Sequence, residues 1–148
     1  MKRRLPPRLL GAFLLLIWGC AMAASAAETV LPAKDWKAIQ KVIAEQRAAL
    51  VAGDAEKAFG FASPAIRAQT NDAATFLTMV RNGYDALLTA RSAQFLDGAV
   101  INDVVVQPLR LIGRDDVVHV ALYTMERQAN GTWRISGCAI APSTSLAT

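Results

Sequence analysis

At Arg91 the spacing of apolar residues changes, and that change constrains the fold more than any single motif. Upstream, apolar side chains recur at intervals of three and four residues, the period of a helix packed on one face. Downstream they alternate, the period of a half-buried strand. A block of helices followed by a block of strands predicts an α+β domain, with N-terminal helices packed on an antiparallel sheet of about four strands. A twisted sheet covered on one face leaves a concave space between the two layers.

The helical block is punctuated clearly. Asp35 is placed to cap a long helix. Trp36, Ile39, Val42, Ile43, Gln46, Ala49 and Leu50 then share a face. Gly53 supplies a left-handed terminator and Asp54 caps the next helix. Ser63-Pro64 stops that helix and starts a third, since proline suits a first helical position. Asn71 or Asp72 caps a fourth, with Ala73, Phe76, Leu77, Val80 and Tyr84 inward and Asn82-Gly83 at its end. Residues 85–90 fit either a helical extension or a crossing segment.

Four strand segments follow. Residues 91–101 read as one strand with an irregularity at Asp97-Gly98, and Asn102-Asp103 turns the chain. Val104–Ile112 is rich in β-branched residues. Its Pro108 cannot donate to a ladder, which implies an edge position or a bulge. Gly113–Asp116 turns into Val117–Arg127. Asn130-Gly131 is the strongest hairpin signal, both residues tolerating positive φ. In the last strand, Thr132–Ile140, a bulge at Gly137 would bring Cys138 and Ile140 onto the face of Trp133 and Ile135.

The first 26 residues read as a secretory signal: a basic start from Lys2 to Arg8, an apolar core from Leu9 to Trp18, and small residues ending in Ala24-Ser25-Ala26. Export to the periplasm or beyond is the expectation, with membrane contact only through this segment. Ile17-Trp18-Gly19-Cys20 also resembles a lipobox, which makes Cys20 a candidate lipidation site. Residues 27–34 form an extended lead-in, 35–142 the single domain, and 143–148 a loose tail.

The net charge of +4 is misleading. Four of the sixteen bases lie in the first eight residues, leaving twelve, dispersed among all twelve acids. Nucleic-acid binding needs clustered cations on one face, so it is not expected. Once the signal is removed, only Cys138 remains and an intramolecular disulfide is impossible. One His and one Cys cannot build a zinc site, and neither a metal nor another cofactor is expected.

The segment from Trp36 to Pro64, with its amphipathic helix, Gly-Asp break and FASP sequence, resembles the opening of nuclear-transport-factor-2-like (SnoaL-like) domains. FASPAIR at 61–67, VVQPLRL at 105–111, ALYTMERQ at 121–128 and WRISGCAIAP at 133–142 resemble, more closely, a family of small exported bacterial proteins of unknown function. The resemblance implies a cone-shaped α+β fold with helices over a curved sheet. It carries no catalytic residues, because the superfamily spans isomerases, dehydratases, scaffolds and binding modules.

Candidate site residues come from the strands. His119 and Tyr123 share a strand face, and Arg110 on the neighbouring strand is a third candidate for a pocket that binds an anion or lets His119 act as a base. The alternative places His119 on an outer sheet surface beside Tyr123. Asp97 and Glu126 are the only acids on strand segments. Trp36, Phe59 and Tyr84 are either core or pocket wall. Cys138 reads as a buried, inert thiol. Three functions follow. The leading one is a non-enzymatic module binding a small ligand or an envelope protein. The others are a small isomerase or dehydratase using His119, Tyr123 and Arg110, and a homodimer joined through Tyr123 and Met125.

Overall fold

The computed structural model describes residues 30–143. The expected signal segment 1–26 with its Cys20, residues 27–29 of the lead-in and residues 144–148 of the tail lie outside the described residues. Five helices precede five strands: α1 Ala33–Ala52, α2 Ala55–Gly60, α3 Pro64–Thr70, α4 Ala73–Gly83 and α5 Asp85–Thr89, then β1 Ser92–Phe95, β2 Ala99–Ile101, β3 Val104–Ile112, β4 Val118–Arg127 and β5 Trp133–Pro142. The architecture is α+β, one antiparallel sheet with helices on one face. Among the described residues no helix is long and apolar enough to cross a membrane.

Local chemistry sets most helix ends. Gly53 takes φ 74° and its N–H reaches the carbonyls of Ala49 and Leu50. The carboxylates of Asp54 and Asp72 accept from the N–H groups of Lys57 and Thr75. The Thr75 N–H, seconded by its side chain, holds the Asp72 carboxyl below its ordinary range. Ser63 caps α3, with Pro64 as its first residue. Asp35 departs from expectation. α1 starts two residues earlier behind Pro32, so Asp35 stands in its first turn. Its buried carboxylate turns inward to the Trp133 Nε1–H at 3.5 Å and the Arg127 guanidinium at 3.6 Å. Partners from the far end of the sheet therefore replace the helix's own N–H groups. At Tyr84 (φ −135°, ψ 37°) the chain breaks out of α4 and restarts as α5.

The strand order is β1-β3-β4-β5, and β2 continues the edge that β1 begins. Residues 91–101 are thus one edge, broken at Leu96-Asp97-Gly98. That break resolves Pro108. β3 is an inner strand, not an edge, but its Pro108 faces the gap between β1, which pairs as far as Leu109, and β2, which starts at Val106. The Pro108 carbonyl accepts from the Leu96 N–H on that side. In an antiparallel ladder one residue's N–H and C=O point the same way, so the missing N–H falls where no strand needs it. Gly98 sits in the break because a Cβ there would overlap the Trp36 ring. Gln107, fully buried, ties the break to the core through its Nε2 donating to the Leu96 carbonyl at 2.7 Å.

Asn102 and Asp103 both take positive φ, 48° and 64°, giving the two-residue hairpin between β2 and β3. Between β4 and β5 only Gly131 is left-handed (φ 85°). The Gly131 N–H bonds the Gln128 carbonyl, and Asn130 instead uses its Oδ1 to accept from Thr132. The loop is therefore a type I turn followed by a left-handed glycine, not a turn with two left-handed residues. In β5 the extra residue is Ser136: Met125 pairs with Ile135 and Thr124 with Gly137. The slip lies one residue before Gly137, and it packs the partly buried Cys138 and Ile140 against the core that holds Trp133 and Ile135. A parallel bridge from Ala62 to Ile135, with Ser63 N–H donating to the Ile135 carbonyl at 2.8 Å, docks the FASP segment on the free edge of β5.

Two hydrophobic clusters result. One joins Ile39, Ile43 and Leu87 to the inner sheet face at Leu109, Leu111, Ala121, Met125 and Ile135. The other lies among the helices, around Leu50, Phe59, Phe76, Leu77 and Val80. Tyr84 packs against both.

Candidate functional site

The two clusters do not close completely on each other. At their seam lies a cavity of about 230 Å³. Leu50, Phe76 and Val80 line it from the helical cluster, and Leu87 and Ile135 from the sheet cluster. Tyr123 on β4 and Gln46 on α1 form its deep end, both buried. Gln69 and Met79 are exposed and mark its mouth, between α3 and α4.

The polar groups around this space are neutral, and all but one of the deep hydroxyls and amides are engaged. Gln46 Nε2 donates to the Ala58 carbonyl at 3.2 Å. The Thr70 hydroxyl donates to the Ile66 carbonyl, the Tyr84 hydroxyl to the Cys138 carbonyl, and the Ser136 hydroxyl to Thr124 Oγ1. The exception is Tyr123. Its residue is 1% exposed, and its hydroxyl is the buried side-chain polar atom without a hydrogen-bond partner among the described residues. Buried hydroxyls are ordinarily bonded, so each exception asks for an explanation. Burial, with the Cys138 thiol nearby, pushes the Tyr123 phenol well above the ordinary tyrosine range. It is therefore a neutral donor and acceptor, not a base. Burial pushes the Cys138 thiol up to about 12, which leaves it a poor nucleophile.

The sequence-derived candidates separate in space. Tyr123 and Tyr84 line the cavity. Phe59 does not; its ring packs on Phe76 with centroids 5.6 Å apart. Trp36 packs over Gly98 in the sheet cluster. His119 lies on the inner face, not the outer one, facing Leu111 and Pro142 across the ladders. It is about 13 Å along β4 from Tyr123. It lines a different, wider groove of about 620 Å³ between α5 and the Gly113–Asp115 turn. Arg110 pairs with Val120 and lies on the face opposite to buried Leu109 and Leu111. Alternation along β3 thus prevents Arg110, His119 and Tyr123 from converging. The same parity corrects the dimer surface: Tyr123 and Met125 are under the helices, and the outer face carries Leu122, 44% exposed. Asp97 is exposed in the edge break, and Glu126 accepts from Gln128 Nε2.

Sequence reasoning missed Gln46 as a site residue, although the signal was visible. It is an amide placed within an otherwise apolar helical stripe. Ser136 and Thr70 carried no such signal, because a bulge and a helix end bring them to the cavity. The wider groove is larger, but its border includes the exposed Arg114 and Asp115, and it holds no buried unpartnered group among the described residues. The smaller cavity is the better site. Among the described residues there is no group of three or more His, Cys, Asp or Glu side chains placed to hold a metal.

Comparison with curated proteins and with solved structures gave no match. A family model matches residues 32–148, the whole of the folded region and most of the chain. The chain therefore belongs to the family described as a domain of unknown function, DUF4864.

Proposed function

We propose that this protein is a non-enzymatic binding module that holds a small molecule in the cavity at the seam of its two hydrophobic clusters. The observation that carries this reading is Tyr123, which lines that cavity and whose hydroxyl is buried with no partner among the described residues. An apolar pocket with very few uncommitted polar groups is the usual composition of a small-molecule site. Against catalysis stand the raised Tyr123 and Cys138 values, which keep both groups protonated near neutral pH, and the absence of His119 from the cavity lining. The resemblance to nuclear-transport-factor-2-like domains is consistent with a pocket between helices and sheet. The signal-like first 26 residues support a place in the cell envelope.

Thermal denaturation of the purified protein against a panel of small neutral organic molecules tests the binding reading. A ligand at one hundred times its Kd should stabilise the fold by about 2.7 kcal/mol. A saturable rise in Tm, lost when Ile66→Phe obstructs the cavity, supports it. No rise with any member of the panel counts against it. Export has its own measurement: an N-terminus at Ala27 in a periplasmic fraction is expected, and an intact Met1 in the cytoplasm refutes it.

A further inference from the structure

We infer that the cavity takes a neutral, single-ring-sized molecule bearing one hydrogen-bond-accepting carbonyl oxygen, and discriminates against the matching carboxylate. This rests on the binding reading above and goes further by naming the ligand's chemistry.

Three observations lead there. First, the lining contains no Asp, Glu, Lys, Arg or His side chain. A carboxylate brought inside would lose its hydration and find no counter-charge. Arg47 acts on Tyr123 electrostatically from outside this lining, where its Nε and a terminal nitrogen donate to the carbonyls of Leu87 and Ala90 at 2.9 and 3.0 Å, so it offers a carboxylate no contact within the cavity. Second, Gln46, Thr70, Tyr84 and Ser136 each donate to a protein acceptor, Gln46 keeping a second amide N–H, whereas the buried Tyr123 O–H has no partner at all among the described residues. An unpartnered O–H calls for an acceptor, and a carbonyl oxygen supplies one. Third, about 230 Å³ is half as large again as an engineered apolar cavity of roughly 150 Å³ that holds benzene. A substituted ring therefore fits. The ligand would enter past Gln69 and Met79 with its oxygen leading toward Tyr123.

The test uses three probes of nearly equal size: acetophenone, ethylbenzene and benzoate. Each is titrated at pH 7 into wild-type protein and Tyr123→Phe, with binding followed by NMR at cavity-lining methyl groups. Acetophenone should bind wild type at least tenfold more tightly than benzoate. Tyr123→Phe should weaken acetophenone about tenfold, the worth of one buried hydrogen bond. Ethylbenzene should change by less than twofold between the two proteins. Ile66→Phe, which adds bulk to the lining without touching Tyr123, should weaken both neutral probes alike. Benzoate binding as tightly as acetophenone, or an unchanged acetophenone affinity in Tyr123→Phe, overturns the assigned ligand class while leaving a binding cavity in place. If no probe perturbs the lining methyls, or if Ile66→Phe leaves all affinities unchanged, the cavity is not the binding site and both readings fall.

Discussion

Replacing Tyr123 by Phe should stabilise the ligand-free protein. The substitution keeps the ring that packs between sheet and helices and deletes one hydroxyl. That hydroxyl is desolvated and has no partner among the described residues. An unsatisfied buried polar group costs about 1–3 kcal/mol. The lost atom leaves a small void, which returns part of the gain, so a net stabilisation of about 1 kcal/mol is expected. For a domain of this size it corresponds to a rise in Tm of roughly 4 °C. In urea, with a slope of about 2 kcal/mol per molar, the midpoint moves up by about 0.5 M. Tyr84→Phe is the matched control. Its hydroxyl donates to the Cys138 carbonyl at 3.2 Å, so its loss should destabilise by about 0.5–1.5 kcal/mol. Opposite signs from the same chemical change, on two tyrosines lining one cavity, are the signature of the argument. If Tyr123→Phe loses 1 kcal/mol or more in the free protein, the hydroxyl already makes a good hydrogen bond and the reasoning for a ligand fails.

Three further outcomes are expected. Gly98→Ala should destabilise by about 1–3 kcal/mol in urea, because the new methyl overlaps the Trp36 ring that closes the edge break; a neutral result would mean that α1 yields easily there. Asp103→Val should cost about 1–2 kcal/mol by denaturation, since a β-branched residue is forced to φ 64° in the two-residue turn. Cys138 should react slowly with alkylating reagents at pH 8. Its folded value of about 12 lies above that of an unfolded thiol, so the folded state holds the proton more tightly. The associated stability is therefore complete below about pH 8.5 and is lost as pH rises toward 12. Fast alkylation of native protein at pH 8 would contradict this.

The order and type of the elements were legible because they rest on short-range chemistry. Gly53, Asp54, Ser63-Pro64 and Asp72 act within one turn of themselves, and the change of period at Arg91 is a property of neighbouring residues. The bulge near Gly137 was legible too, since alternation from Trp133 would otherwise expose Ile140. Asp35 was misread as a cap because its partners, Trp133 and Arg127, are about a hundred residues away. Pro108 implies an edge position or a bulge, but the tolerance it needs comes from a gap between two neighbouring strands, which no local pattern encodes.

The site divides along the same line. By itself the sequence determined that His119 and Tyr123 share a strand face, and that Gln46 interrupts an apolar stripe. Only the tertiary structure decided which face is covered, that Arg110 is on the other one, and that His119 and Tyr123 open onto different spaces. Strand parity is a local property, but the covering of a face and the gap where two clusters fail to meet depend on how whole layers pack. The unpartnered hydroxyl of Tyr123 belongs to that second kind, since a missing hydrogen bond is defined by everything around it.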